Sequence, residues 1–157
     1  MKSIFSPLFA KAALGTSAVL ALGMLAPSQS FAMALTEVDT ELYLSVDVSG
    51  SVSNAEFDLQ KTGYVNAFKS SAIQSLITSA QKGVSVAYGY WSGSGQQETA
   101  IASTLLTTNQ QVSDFADAIA ATIRPFSGST GIGEAISFAA NELLTNKFDG
   151  KRLVIDV

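Results

Sequence analysis

The sequence predicts an α/β fold: a doubly wound, mostly parallel sheet with one antiparallel edge strand. Three observations predict it. Short apolar runs at 41–48, 84–91 and 152–157 have the length and composition of buried strands. The segments between them carry apolar residues at helical spacing, and strands alternating with helices give a parallel sheet covered on both faces. One weakly alternating segment, Glu98 to Leu105, follows a Gly-Ser turn and suits a hairpin partner at the sheet edge.

The first 34 residues stand apart as a leader. Lys2 and Lys11 supply positive charge, and Ala12 to Ala26 is an apolar run broken only by Gly, Thr and Ser. Pro27-Ser28-Gln29-Ser30 breaks the run, and small residues follow at the positions a signal peptidase reads. Cleavage is expected after Ala32 or Ala34. The run is shorter than the ~20 residues of a membrane span, so a cleaved signal peptide is favoured over an anchor. The domain is then residues 35–157, and its expected location is the periplasm or outside the cell, with no membrane insertion after cleavage.

In the domain, Glu41 to Val48 is the first core strand and stops at Ser49-Gly50-Ser51. Ser53 lies three residues before Glu56, the pattern of a capping box. From there to about Ile77, the residues Phe57, Val65, Phe68, Ile73 and Leu76 predict one long amphipathic helix. Val84 to Trp91 is the second core strand, with Trp91 read as packing. Ser92-Gly93-Ser94-Gly95 is the turn into the edge strand. Asn109 is the expected N-cap of a helix from Gln110 to about Ile123. Arg124 to Ser129 is a loop, and Thr130 opens a helix with Ile136, Phe138, Ala139 and Leu143 on its apolar face. Arg152 to Val157 is a further core strand. A strand at that place with no helix after it leaves one side of such a sheet uncovered, so the fold is expected to be incomplete at the C-terminus.

Composition excludes several classes of function. The chain has no cysteine and no histidine, which removes disulfides, thiolate zinc sites and Ser-His-Asp or Cys-His catalysis. Of nine Lys and Arg, two fall in the leader, leaving seven against thirteen Asp and Glu. An acidic domain without a basic cluster argues against nucleic acid and anionic membranes as partners. Glu98, Asp114, Asp117 and Glu142 are read as a solvated acidic face. Gly128-Ser129-Thr130-Gly131-Ile132-Gly133 has the glycines of a nucleotide loop, but no strand directly precedes it and no Walker lysine follows.

The chemistry concentrates where the first strand ends. Ligands of open α/β sheets bind at the carboxyl ends of the strands, near the switch point. Asp47, Ser49 and Ser51 alternate along an extended loop there, so one carboxylate and two hydroxyls converge. Oxygen ligands of this kind suit a hard divalent cation, Mg²⁺ first, with Mn²⁺ or Ca²⁺ as alternatives. Few protein charges leave such a cation electron-poor and ready for a carboxylate from outside. The polar-turn reading, with Asp and Ser capping the next helix, remains open on spacing alone.

Asp-x-Ser-x-Ser after a buried strand, with Ser129-Thr130-Gly131-Ile132-Gly133-Glu134-Ala135-Ile136 further along, resembles a von Willebrand factor type A (vWA) domain and its metal ion-dependent adhesion site (MIDAS). The sequence is most similar to a bacterial family of exported vWA-like domains of unknown function. The Trp91-Ser92-Gly93 turn and the strand Arg152 to Val157 carry that closer likeness, which runs from about Glu37 to the end. The resemblance implies metal ligands at Asp47, Ser49, Ser51 and Thr130, a protein partner offering a carboxylate, and no enzymatic activity. It also implies an aspartate in an Asp-Gly pair just past the equivalent of Val157. Asp156 lies inside its strand and is not assigned to the site. Two rival expectations stand beside this one: a metal-free scaffold in an envelope assembly, and a metal-assisted hydrolase. The hydrolase needs a general base, for which Glu134 is the nearby candidate although helix geometry is expected to point it elsewhere.

Overall fold

The computed structural model describes residues 34–157; the leader lies outside the described residues apart from Ala34. Ten elements follow in order: β1 (Thr36–Val38), β2 (Thr40–Asp47), α1 (Asn54–Lys69), α2 (Ser71–Thr78), β3 (Val84–Trp91), β4 (Gln97–Leu106), α3 (Asn109–Ala121), α4 (Ile132–Thr145), β5 (Phe148–Gly150) and β6 (Leu153–Asp156). The main sheet has the order β4-β3-β2-β6. Strand β2 pairs in parallel with β3 along its whole length and with β6 on its other side, while β4 runs antiparallel to β3. The expected class, mostly parallel with one antiparallel edge, is the observed one. A second, two-stranded parallel sheet joins β1 to β5, a pair too short to show a periodic signal in sequence.

The period-2 alternation of β2 divides the core. Leu44, Val46 and Val48 face a large cluster with Val86, Tyr88 and Tyr90 of β3, closed by α1, α2 and α3 through residues such as Phe57, Phe68, Ile77, Phe115 and Ile119. Tyr43, between them, faces the opposite side and packs with Ala87, Ala139 and Leu143. Both faces of β2 and β3 are therefore covered, whereas β6, expected as a core strand, is largely exposed, with Leu153 and Val154 open to solvent. Trp91 is buried, and its indole N–H donates to Ser45 O at 3.1 Å, which bears out its reading as a packing residue.

Several local readings need correction. The long helix to Ile77 is broken at Ser70, which takes an extended ψ of 141° and serves as C-cap of α1 and N-cap of α2. Its hydroxyl donates to Ala67 O (2.7 Å) and accepts from Ile73 N (3.3 Å). A serine side chain that bonds locally on both sides offers the backbone an alternative to continuing the helix. Ile77 is buried in the new register and Leu76 is exposed. The N-cap of α3 is Thr108, one residue earlier than Asn109, in a capping box with Gln111. In α4 the buried residues are Ala135, Ala139 and Leu143; their i, i+4, i+8 spacing defines the inner face, and Ile136 falls outside it, exposed.

Two polar arrangements sit within this frame. Gly89 of β3 leaves room for Tyr43, whose hydroxyl would lie 2.1 Å from a Cβ at that position. The Tyr43 hydroxyl reaches Thr99 Oγ1 (2.8 Å), which in turn donates to Glu142 Oε2 (2.9 Å). Glu142 is half-buried, so it leaves the solvated acidic face to which Glu98, Asp114 and Asp117 belong. Glu41 is buried outright, with its carboxylate accepting from Asn146 Nδ2 (2.6 Å) and Gly150 N (2.8 Å). No helix among the described residues is long and apolar enough to cross a membrane.

Candidate metal centre

Strand β2 delivers Asp47 to the carboxyl edge of the sheet, opposite Trp91 at the end of β3. The chain leaves β2 toward β3 on one side, while α4 returns it to β6 on the other. The edge beside β2 is thus the switch point where ligands of such sheets bind. Asp47 Oδ1 accepts from Ser49 N at 2.7 Å, which fixes the carboxylate over its own loop. The Ser49 and Ser51 hydroxyl oxygens lie 3.3 Å apart, with Ser49 buried and Ser51 exposed. Val52 N closes the turn onto Ser49 O at 2.9 Å, ahead of the capping box of Ser53 and Glu56 that starts α1.

The segment before α4 is fastened to this loop. Gly50 N donates to Gly128 O at 2.7 Å, and an added Cβ on Gly50 would meet that carbonyl at 3.2 Å. Buried Ser92 holds the same segment from β3: its hydroxyl accepts from Gly128 N (2.7 Å) and donates to Ser129 O (3.0 Å), and its carbonyl accepts from Gly131 N (2.8 Å). Helix α4 begins at Ile132 with Gly131 as its N-cap. Thr130 therefore sits on the loop before the helix, exposed, between two anchored residues. The structure brings the loops of Asp47, Ser49, Ser51 and Thr130 to one edge.

The donor set fits a hard divalent cation in kind, since it offers one carboxylate and several hydroxyls, all oxygen. A hydroxyl pair 3.3 Å apart is close to the edge of an octahedron, ~3 Å for metal–oxygen bonds of about 2.1 Å. Among the described residues no group of three or more His, Cys, Asp or Glu side chains is gathered, so an ion here would rely on hydroxyl and water oxygens for most of its shell. Glu134 is exposed in the first turn of α4, with Oε2 at 3.0 Å from where a Cβ on Gly131 would stand. Asp156 ends β6 and accepts from the Tyr64 hydroxyl at 2.9 Å. Burial and this neighbouring carboxylate raise the Tyr64 pKa.

Two residues escaped the sequence reading. Ser92 was visible only as part of a turn. Arg124 lay in a loop, yet it is the one basic residue between Lys82 and Lys147. Its guanidinium donates to Val48 O (2.7 Å), Ser49 O (2.8 Å) and Val52 O (2.9 Å) and lies over the Phe57 ring. A lone cation in an acidic, Ser/Gly-rich stretch was the available signal.

The architecture and this edge define a doubly wound α/β domain with a hydroxyl-rich loop cluster at its switch point. Residues 37–157 match the family described as protein of unknown function (DUF1194), and the chain belongs to that family. No match is found among curated proteins. Among solved structures it is similar to proximal thread matrix protein 1 (PTMP1) from the mussel byssus, described with a zinc-occupied MIDAS motif, at 17% identity and a TM-score of 0.49. It is also similar to the SpRpn10 VWA domain, at 18% identity and a TM-score of 0.46. These matches cover 74% and 76% of this chain, which spans 28% and 59% of the respective structures. Each likeness is one of fold.

Proposed function

We propose that this chain is an exported vWA-like binding module that engages an acidic group on a protein partner through a divalent cation, Mg²⁺ by preference. The observation that carries the reading is the Ser49–Ser51 hydroxyl pair at 3.3 Å beside a carboxylate held by its own loop. Asp47 would be the charged ligand, directly or through water. Ser49, Ser51 and Thr130 would supply hydroxyl oxygens. When bound, the cation would supply an electron-poor centre with positions open to a carboxylate. The chain's part is to hold its oxygens apart at ligand spacing and to leave Ser51 and Thr130 facing solvent, where a partner arrives. The leader pattern supports export to the periplasm or beyond.

The test is thermal unfolding of the domain with and without Mg²⁺, beside Asp47→Ala. Binding at a hundred times Kd stabilises a domain by about 2.7 kcal/mol, a rise of roughly 5–10 °C at this size. The wild type is expected to show that rise and Asp47→Ala to lose it. Equal stability with and without the ion in the wild type would favour the metal-free scaffold. A second reading is a metal-assisted hydrolase, with Glu134 in the first turn of the helix after Thr130 as general base. Metal-dependent turnover of an ester or phosphoester probe, lost in Glu134→Gln, would support it over the binding module.

A further inference from the structure

We infer that Arg124 is a positioning residue that holds the Asp47–Val52 loop in its ligand arrangement before any cation arrives; the link to metal affinity rests on the reading above. The argument begins with where the loop's polar groups go. The carbonyls of Val48, Ser49 and Val52 all accept from one guanidinium, at 2.7, 2.8 and 2.9 Å. These three carbonyls are thereby committed on one side of the loop. Of the remaining donors of Arg124, Nε reaches Phe126 O of its own segment at 3.3 Å, and Nη1 also reaches Asn54 Oδ1 at the start of α1 at 3.4 Å. One planar fork thus spans the loop of Asp47, Ser49 and Ser51 and the segment that leads to Gly128 and Thr130. The Gly50 N to Gly128 O bond joins the same two segments independently.

A cluster of hydroxyls has little attraction of its own, and without an ion its loop would sample many arrangements. Bonds to a charged donor are stronger than neutral ones and are made here by a side chain stacked on buried Phe57. Preorganising ligands in this way removes an ordering cost from ion binding.

The experiment is amide hydrogen exchange on the metal-free domain, in chelator, for wild type, Arg124→Gln and Arg124→Lys. The amides of Gly50 and Val52 report the loop, and those of Val86 and Tyr88 report global stability. Both variants are expected to speed exchange at Gly50 and Val52 by about tenfold or more, with Val86 and Tyr88 far less affected. Lysine keeps the charge and loses the fork, so wild-type protection in Arg124→Lys would overturn the inference. A uniform rise at all four amides in both variants would also overturn it, because Arg124 would then act only on global stability. Mg²⁺ titration of the same proteins separates the two proposals. Weaker binding in both variants, with the wild type binding, is the expected result. If the wild type binds no Mg²⁺ while Arg124 still governs Gly50 and Val52, the metal reading fails and the clamp stands.

Discussion

Single atoms decide several properties of this domain. Gly93 faces the Thr130 segment so closely that an added Cβ would stand 2.4 Å from Ser129 Oγ and 3.3 Å from its backbone nitrogen. Gly93→Ala is therefore expected to displace that segment and weaken Mg²⁺ binding, read by titration, while leaving the Asp47 loop intact. Glu41 answers a different demand. A buried carboxylate persists only where hydrogen bonds satisfy it, and Asn146 and Gly150 do so. Glu41→Ala removes the acceptor and leaves the half-buried Gly150 N–H unpaired, while the Asn146 amide keeps Ser103 Oγ, at a cost of about 1–3 kcal/mol. Urea unfolding of that variant should show a loss of that order, and an unchanged midpoint would mean water replaces the carboxylate without cost.

At the scale of elements, helix α1 starts from a two-way cap in which Ser53 Oγ accepts from Glu56 N and Glu56 Oε2 accepts from Ser53 N at 2.8 Å. Because α1 begins one residue after the candidate metal loop, this cap fixes where the loop must end. Ser53→Ala is expected to reduce stability by about 1 kcal/mol in denaturant titration. The backbone hydrogen bond from Ser53 lowers the Glu56 pKa. A lowered carboxylate stabilises the fold above its unfolded pKa and loses that contribution as pH falls through the folded value. The cap should therefore weaken in acid, seen as a smaller Ser53→Ala effect at low pH than at neutrality.

Across the whole domain, charge pairs gather at the edge opposite the candidate site. Lys82 pairs with Glu37, and Lys151 with Asp39 at 2.7 Å. Hydrogen bonds and charge from these lysines lower the pKa of Glu37 and Asp39, and Glu37 raises that of Lys82. The signs bracket a stable range. The carboxylate contributions are present above the ordinary carboxylate pKa and fade as pH drops through the lowered values. The Lys82 contribution is full below the ordinary lysine value and fades as pH climbs through the raised one. These groups are exposed and screened, so the effect is expected to be small and to shrink further in salt. Unfolding midpoints measured across pH at low and high salt test this, and a salt-independent acid limb would rule out these exposed pairs as its cause.

The sequence by itself determined the fold class, the span of β3 to the residue, and the placement of Asp47 at the end of a buried strand with Ser49 and Ser51 on the loop after it. These follow from hydrophobic periodicity and turn chemistry, which act over a few residues and are written locally. The closer family likeness was legible for the same reason, because the Trp91-Ser92-Gly93 turn and the Arg152 to Val157 strand that carry it are each short local runs. Only the tertiary structure decided the rest. The β1–β5 pair joins residues more than a hundred positions apart, so no local signal announces it. The break at Ser70 turned on whether its hydroxyl found backbone partners on both sides. Arg124 and Ser92 became parts of the candidate site because distant loops meet at the switch point. A side chain's partners there depend on how the sheet is ordered, and that order is set by packing both faces of β2 at once.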